Sequence, residues 1–214
     1  MATVRILPKA SWSSQHFWRP SARTLFVLFT SLALMGVGDG LLVQAQLGSL
    51  PWTVLAQGIS LQTNITLGLV SGLISLVVML LWIPLKLRFG LGTVLNIIVI
   101  ACFLGFTAHY LPAPQSLTGQ LVYLLVGILL FGFGTGFYLT CYMGAGPRDG
   151  LMVGMCERFG WRVSYVRTGI EVAVCTAGYF LGGIVGLGTL AFALSIGWVA
   201  QLSLNLIQRY AAKP

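Results

Sequence analysis

The sequence predicts an all-α membrane protein whose six transmembrane helices form two inverted three-span repeats, each with a short interfacial or re-entrant helix. Three features lead to this prediction: the composition, an internal duplication and the placement of the basic residues. Of the 214 residues, 57% are hydrophobic and 7% are charged. A soluble domain carries about 25% charged residues. This chain could not cover its surface in water, so the lipid bilayer is its expected partner.

The duplication is visible when the chain is shifted against itself by 96 residues without a gap. The shift aligns Gly36 with Gly132, Gly38 with Gly134, Gly40 with Gly136, Gly48 with Gly144, Pro51 with Pro147 and Gly58 with Gly154. Chance similarity between apolar segments would align Leu and Val but not this many Gly and Pro positions. Gly36 and Gly40, like Gly132 and Gly136, lie one turn apart, which predicts small-residue faces for close helix packing.

Six apolar runs have about the 20 residues that a transmembrane helix needs. They cover 24–44, 66–85, 91–110, 119–141, 163–183 and 187–207. The first three runs form repeat 1 over 24–110, and the last three form repeat 2 over 119–207.

A short helix is predicted inside each repeat, over 51–60 and 147–157, because a proline opens each segment. About ten residues rise about 15 Å, which is half of a bilayer. Two interpretations stay open. Each short helix is interfacial and covers the end of the bundle, or it is re-entrant and offers the positive end of its dipole to an anionic ligand.

The basic residues indicate the orientation. They lie before the first span, in the links after the second and fourth spans, at the start of the fifth span and after the sixth. The alternate links near 45–65, 111–118 and 184–186 contain no Lys or Arg. The positive-inside rule therefore places both termini in the cytoplasm. Because each repeat has three spans, the second copy must enter from the opposite face, and the copies are inverted.

The chain ends are expected to be cytoplasmic segments. Residues 1–23 form a basic arm that is expected to lie on the inner leaflet, with Trp12, Phe17 and Trp18 at the interface. Residues 208–214 form a short cytoplasmic tail.

Chemistry is expected where the copies differ. The second copy alone carries Arg148, Asp149, Arg167 and Glu171 at the aligned positions. Arg167 and Glu171 are four residues apart and can pair on one helical face. Two interpretations stay open: the four residues form an ion-pair network that locks the cytoplasmic end, or they bind a ligand. In the second, Arg148 or Arg167 binds an anionic group and Glu171 carries a proton. Asp39 in the first span is the other acid at depth.

Other classes of function have little support in the sequence. The four cysteines and two histidines show no metal-ligand spacing, and neither a metal nor a cofactor is expected. No Ser/His/Asp set or HExxH motif indicates an enzyme. The basic residues lie in short links and tails rather than on one face, which is not typical of nucleic-acid binding.

Several motifs resemble the YczE/YyaS/YitT family of bacterial integral membrane proteins, and most closely its YczE branch. They are LPWTVL at 50–55, GLGTVLN at 90–96, MGAGPRDGLM at 143–152, RTGIE at 167–171 and GLGT at 186–189. The family usually has glycine where this chain has Leu50. The resemblance implies a protein of the bacterial cytoplasmic membrane whose activity is not established.

Two functions fit these features. The first is a small-solute transporter with its site between the inverted repeats, for which a homodimer is a reasonable form. The alternative is a non-transporting scaffold or regulatory partner of other envelope or biosynthetic proteins. A transporter should place the four charged residues around a water-accessible cavity, whereas a scaffold should leave them mutually satisfied with the cavity closed.

Overall fold

A computed structural model describes residues 8–161 and 163–211, without the side chains of residues 163 and 164. Within these residues the ordered elements are helices, and the prediction of an all-helical fold is confirmed. The helices are α1 Ala22–Gln44, α2 Pro51–Thr63, α3 Leu67–Leu80, α4 Trp82–Leu85, α5 Leu91–Tyr110, α6 Leu117–Thr140, α7 Pro147–Phe159, α8 Val163–Phe180 and α9 Leu187–Tyr210.

Five helices in the described part of the chain are long and apolar enough to cross a membrane. They are α1, the continuous segment Leu67–Leu85 made by α3 and α4, then α5, α6 and α9. Large apolar side chains cover their outer faces; Phe26 is 72% exposed and Trp198 is 80% exposed. Such faces suit lipid rather than water. The eighth helix, predicted as the fifth span, is 18 residues long and carries Arg167 and Glu171, which lower its hydropathy below that of the other five.

The two short helices have the same construction. Both α2 and α7 contain 13 residues and begin with a proline. The first ends before Asn64 and the second before Gly160, residues with φ of 57° and 69°. A left-handed residue is a common end of a helix, because the chain can no longer continue the right-handed turn. These stops extend both helices beyond the predicted ranges 51–60 and 147–157.

The centre of the bundle is a close crossing of α1 and α6. A Cβ atom on Gly38 would lie 2.7 Å from the carbonyl oxygen of Gly127, and one on Gly134 would lie 2.7 Å from that of Ser31. Each glycine thus approaches a backbone oxygen of the other helix, and Gly134 also lies against the side chain of Met35. Glycine allows this approach in the membrane interior, where close packing stabilises helix pairs.

Helices α5 and α9 flank this crossing. The structure places the glycine pairs of the sequence prediction at these flanking contacts. Gly36 and Gly40 lie against Phe103 and Thr107 of α5, and Gly132 and Gly136 lie against Val199 and Ser203 of α9. In both copies, therefore, the small-residue face packs on the third long helix of its own repeat.

Contacts between the two halves of the chain recur with their roles exchanged. The N–H of Gly92 donates to the carbonyl oxygen of Met143 at 2.9 Å, and the N–H of Gly188 donates to that of Leu47 at 2.7 Å. A shift of 96 residues converts Gly92 into Gly188 and Leu47 into Met143. The same backbone hydrogen bond thus runs from the first half to the second and from the second half to the first.

The described part of the N-terminal arm folds against the bundle. Trp12 is 8% exposed and stacks on Phe137 with ring centroids 5.8 Å apart. Its indole N–H donates to Oγ1 of Thr140 at 3.1 Å, at the end of α6. Trp12 therefore packs against the protein rather than lipid, because the ring finds both an aromatic partner and an acceptor inside the bundle, and its depth in the membrane stays a prediction. Phe17 and Trp18 are half exposed, and residues 1–7 lie outside the described residues.

Candidate functional site

The N-termini of the two short helices meet. Trp52 is the second residue of α2, and Arg148 is the second residue of α7. The guanidinium carbon of Arg148 lies 5.4 Å from the centroid of the Trp52 ring, within the range of a cation–π contact. Both helices therefore direct their free N–H groups and the positive ends of their dipoles at one region.

Helix α2 is held against α8 by backbone contact and by side-chain hydrogen bonds. A Cβ atom on Gly178 would lie 2.5 Å from the backbone nitrogen of Leu55, so glycine is required for this approach. The amide of Gln62 donates to the carbonyl oxygen of Leu181 at 3.0 Å. The N–H of Ile184 donates to Oε1 of Gln57 at 3.2 Å. The C-terminal half of α2 thus lies beside the C-terminal end of α8.

Helix α7 is held against α3 and α4 by a tryptophan. The indole N–H of the buried Trp82 donates to the carbonyl oxygen of Pro147 at 3.0 Å. Gly150, one turn into α7, lies directly on the Trp82 ring and has no room for a Cβ atom. Trp82 therefore fixes the beginning of α7, and with it the position of Arg148.

A recess of about 270 Å³, including the space where it opens to solvent, lies at this meeting point. Its walls are Trp52, Arg148, Asp149, Met152, Arg167, Ile170 and Glu171. All four charged residues that the sequence nominated as ligand-binding line this one recess. The structure therefore brings together residues from α7 and α8 that are up to 23 positions apart in the chain.

Arg167 and Glu171 form the predicted pair. Nε of Arg167 lies 3.0 Å from Oε1 of Glu171, and their side chains are 54% and 33% exposed. The pairing is confirmed. The carboxylate of Glu171 opens to the recess and has Arg167 as its cationic partner. An ion pair of this exposure is worth about 0–1 kcal/mol, so it contributes little to the stability of the fold.

Arg148 and Asp149 do not join that pair. Within the described residues, Arg148 makes neither an ion pair nor a hydrogen bond and rests only on the Trp52 ring. The acids whose charges act on it are Asp39 and Asp149. A guanidinium has five N–H donors, and these are available at the recess. The four charged residues of the recess therefore do not form one ion-pair network.

Asp39 is the member of this region that sequence reasoning left out of the site. It is 1% exposed, between Gly38 and Gly40 on α1. Its Oδ2 accepts a hydrogen bond of 2.9 Å from Oγ1 of Thr53, and its Oδ1 has no partner among the described residues. The charge that acts on it is that of Arg148. A buried carboxylate oxygen without a partner is costly and needs an explanation.

A signal for Asp39 was present in the duplicated sequence. The 96-residue shift aligns Asp39 with Thr135 and Thr53 with Asp149. Each copy therefore has one acid and one threonine at these two positions, in opposite order. This pattern would have suggested the hydrogen bond between Thr53 and Asp39, but only the structure shows that the two positions touch.

A bundle of long apolar helices that encloses charged groups defines an integral membrane protein. The chain belongs to a family of unknown function, DUF6198, whose model matches residues 22–205. An uncharacterized protein of Haemophilus influenzae is 55% identical over 206 residues, which is 96% of this chain and 94% of the relative.

Two Bacillus subtilis proteins are also similar. The uncharacterized membrane protein YczE is 32% identical over 178 residues, covering 82% of this chain and 83% of the relative. The uncharacterized protein YyaS is 23% identical over 191 residues, covering 84% and 91%. The resemblance to the YczE and YyaS proteins is thereby confirmed. No solved structure matches the chain.

Proposed function

We propose that the chain is a small-solute carrier built from two inverted three-span repeats, with α8 as the fifth of its six spans. The observation that carries the proposal is the contact between Trp52 and Arg148. These residues occupy the same position in the two copies, 96 residues apart. Equivalent positions can touch each other only near the axis that relates the copies. The axis of inverted repeats lies in the membrane plane, so this contact belongs near the bilayer centre.

The exchanged hydrogen bonds support the same axis. A twofold rotation that takes repeat 1 onto repeat 2 also takes the Gly188–Leu47 contact onto the Gly92–Met143 contact. The α1–α6 crossing behaves likewise, since Gly38 and Gly134 each approach backbone of the other helix.

In this arrangement the short helices are re-entrant rather than interfacial. Their N-termini meet near the centre, and their C-termini run to opposite faces. Thirteen residues rise about 20 Å, enough to reach from the centre of a bilayer to its surface. The non-helical segments 45–50 and 141–146 then lie at membrane depth, where they are tolerated because protein surrounds them.

The distribution of basic residues supports a bacterial cytoplasmic membrane location with both termini inside. The α2–α3 link at Asn64 and the link at Gln115 then lie outside, and Lys86 lies inside. Reporter fusions at these three positions test the topology. A reporter at Asn64 that behaves as cytoplasmic would contradict the inverted arrangement.

The recess supports carriage of a solute rather than catalysis. It offers unpaired guanidinium donors and an exposed carboxylate at the junction of the two repeats, which is where inverted-repeat carriers bind their cargo. Buried polar groups without protein partners are satisfied by a ligand or by water.

The alternative of a non-transporting scaffold has one observation in its favour, the Arg167–Glu171 pair, which satisfies two of the four charges internally. A solute screen separates the two functions. The variant is Arg148→Gln, and the matched control is Arg209→Gln, which removes an exposed arginine that also rests on an aromatic ring, 5.5 Å from that of Tyr210.

For a carrier, some solute should raise the unfolding temperature of the native protein and of the Arg209 variant but not of the Arg148 variant. The same solute should then exchange across vesicles that contain the protein. If stabilising solutes act equally on both variants and none crosses the vesicle membrane, the scaffold is favoured and the carrier proposal fails.

A further inference from the structure

We propose that Asp39 is the proton-coupling group of the recess, and that Arg148 binds a small monocarboxylate that crosses the membrane together with one proton. This inference rests on the proposed carrier function and assigns its substrate class and its coupling ion. It replaces Glu171, the proton carrier that the sequence suggested, with an acid that is buried and lacks a cationic contact.

The surroundings of Asp39 leave Arg148 as its electrostatic partner. Helix α2 contributes the hydroxyl of Thr53, and α7 contributes the charge of Arg148. Beyond Arg148, the charged groups at the recess are Asp149, Arg167 and Glu171. The flanking helix α5 contacts Gly40 through Thr107, and α6 contacts Gly38 through backbone atoms.

The other ionisable groups of the two flanking helices lie apart from Asp39. His109, Cys102 and Tyr110 are exposed on α5. On α6, the hydroxyl of Tyr138 donates to the carbonyl oxygen of Gly144, and Tyr123 packs against the Leu42 cluster.

Coupling between proton and ligand follows because the positive charge of Arg148 can offset either the Asp39 carboxylate or a bound carboxylate ligand. With the recess empty, the charge of Arg148 offsets that of Asp39, because Thr53, which donates to Asp39, is next to Trp52, on whose ring Arg148 rests. A carboxylate ligand on Arg148 neutralises that guanidinium, and Asp39 then faces a low-dielectric interior with one oxygen unpartnered. Taking up a proton removes the unfavourable charge. By linkage, protonation of Asp39 must strengthen carboxylate binding by the same factor.

The chemistry of the recess favours a small monocarboxylate. The planar fork of a guanidinium matches the two oxygens of a carboxylate, and the two helix N-termini add partial positive charge. Trp52, Met152 and Ile170 give the recess an apolar wall for a short hydrocarbon tail. One anion and one proton move together without net charge. Asp39 is buried and does not line the recess, so the solute on Arg148 does not contact it.

The test measures how binding of defined probes depends on pH. The probes are formate, lactate and benzoate, with lactamide and benzamide as uncharged controls, added to the purified protein in detergent. Between about pH 6 and pH 8 the apparent Kd of a carboxylate probe should tighten up to tenfold for each unit of falling pH, the slope expected for one coupled proton. The amides should not bind.

Variants locate the coupled proton. Asp39→Asn should bind the carboxylate with no pH dependence, because the amide resembles the protonated acid and can still accept the Thr53 hydrogen bond. Arg148→Lys should weaken binding through loss of the fork but keep the pH slope. Glu157→Gln, which alters an exposed acid at the far end of α7, should behave as the native protein.

An unchanged pH slope in Asp39→Asn overturns the inference. If that variant does not fold, proton uptake by the native protein is measured directly in weak buffer: about one proton per bound carboxylate supports the proposal, and none overturns it. If no carboxylate probe binds while another solute crosses vesicles, the substrate class is wrong and the carrier stands. If no solute binds or crosses, both proposals fail.

Discussion

The close crossing of α1 and α6 can be tested at Gly38. In Gly38→Ala the new Cβ atom would lie 2.7 Å from the carbonyl oxygen of Gly127 and 2.9 Å from the backbone nitrogen of Phe131. The shorter distance falls about 0.7 Å below ordinary van der Waals contact. Because both atoms are backbone, no side chain can rotate away, and the helices must separate along the whole crossing. We expect destabilisation of about 1–3 kcal/mol, the usual range for overpacking.

The matched control for this prediction is Gly197→Ala on α9. Its Cβ atom would meet nothing within 4 Å, and alanine favours the helix over glycine, so we expect no loss of stability. Unfolding of both variants is followed by circular dichroism in mixed micelles containing a denaturing detergent. Equal stability of the two alanine variants would refute the argument that backbone contact holds α1 against α6.

Three further predictions concern the turns, the arm and the recess. Gly144→Ala should lower the unfolding temperature more than Gly160→Ala, because both glycines have positive φ but only Gly144 faces a contact, at 2.7 Å from Thr93 Oγ1. Equal losses would mean that strain alone matters. Trp12→Phe should cost about 1 kcal/mol through loss of the Thr140 hydrogen bond, whereas Trp18→Phe should cost little, measured as unfolding free energy. Glu171→Gln should change that free energy by less than about 1 kcal/mol; a larger loss would make the Arg167 pair structural.

The helices were predictable from local signals. Pro51 and Pro147 open the short helices, and residues able to adopt a left-handed conformation close them at Asn64 and Gly160. Apolar runs of bilayer length give the long helices. Such signals depend on a few neighbouring residues, and they gave the beginnings of the short helices better than their ends, which lie beyond 60 and 157.

The missed features depend on contacts between distant parts of the chain. Trp12 is buried because Thr140, 128 residues later, supplies an acceptor. Asp39 is an orphaned acid because α2 folds back and offers one hydroxyl to a carboxylate that could accept more. The four charges of the second copy were predicted together, yet whether they pair or stay apart depends on how α7 meets α8. Periodicity and composition do not contain that information.

The proposed axis also explains why the copies diverge where they do. Positions near a twofold axis face their own equivalents, so two identical arginines at 52 and 148 would repel each other inside the membrane. Replacing one by tryptophan changes that repulsion into a cation–π contact and leaves a single guanidinium for a ligand. A site on the proposed axis would be formed once from both copies, so a substitution in a single copy decides which charge that site carries.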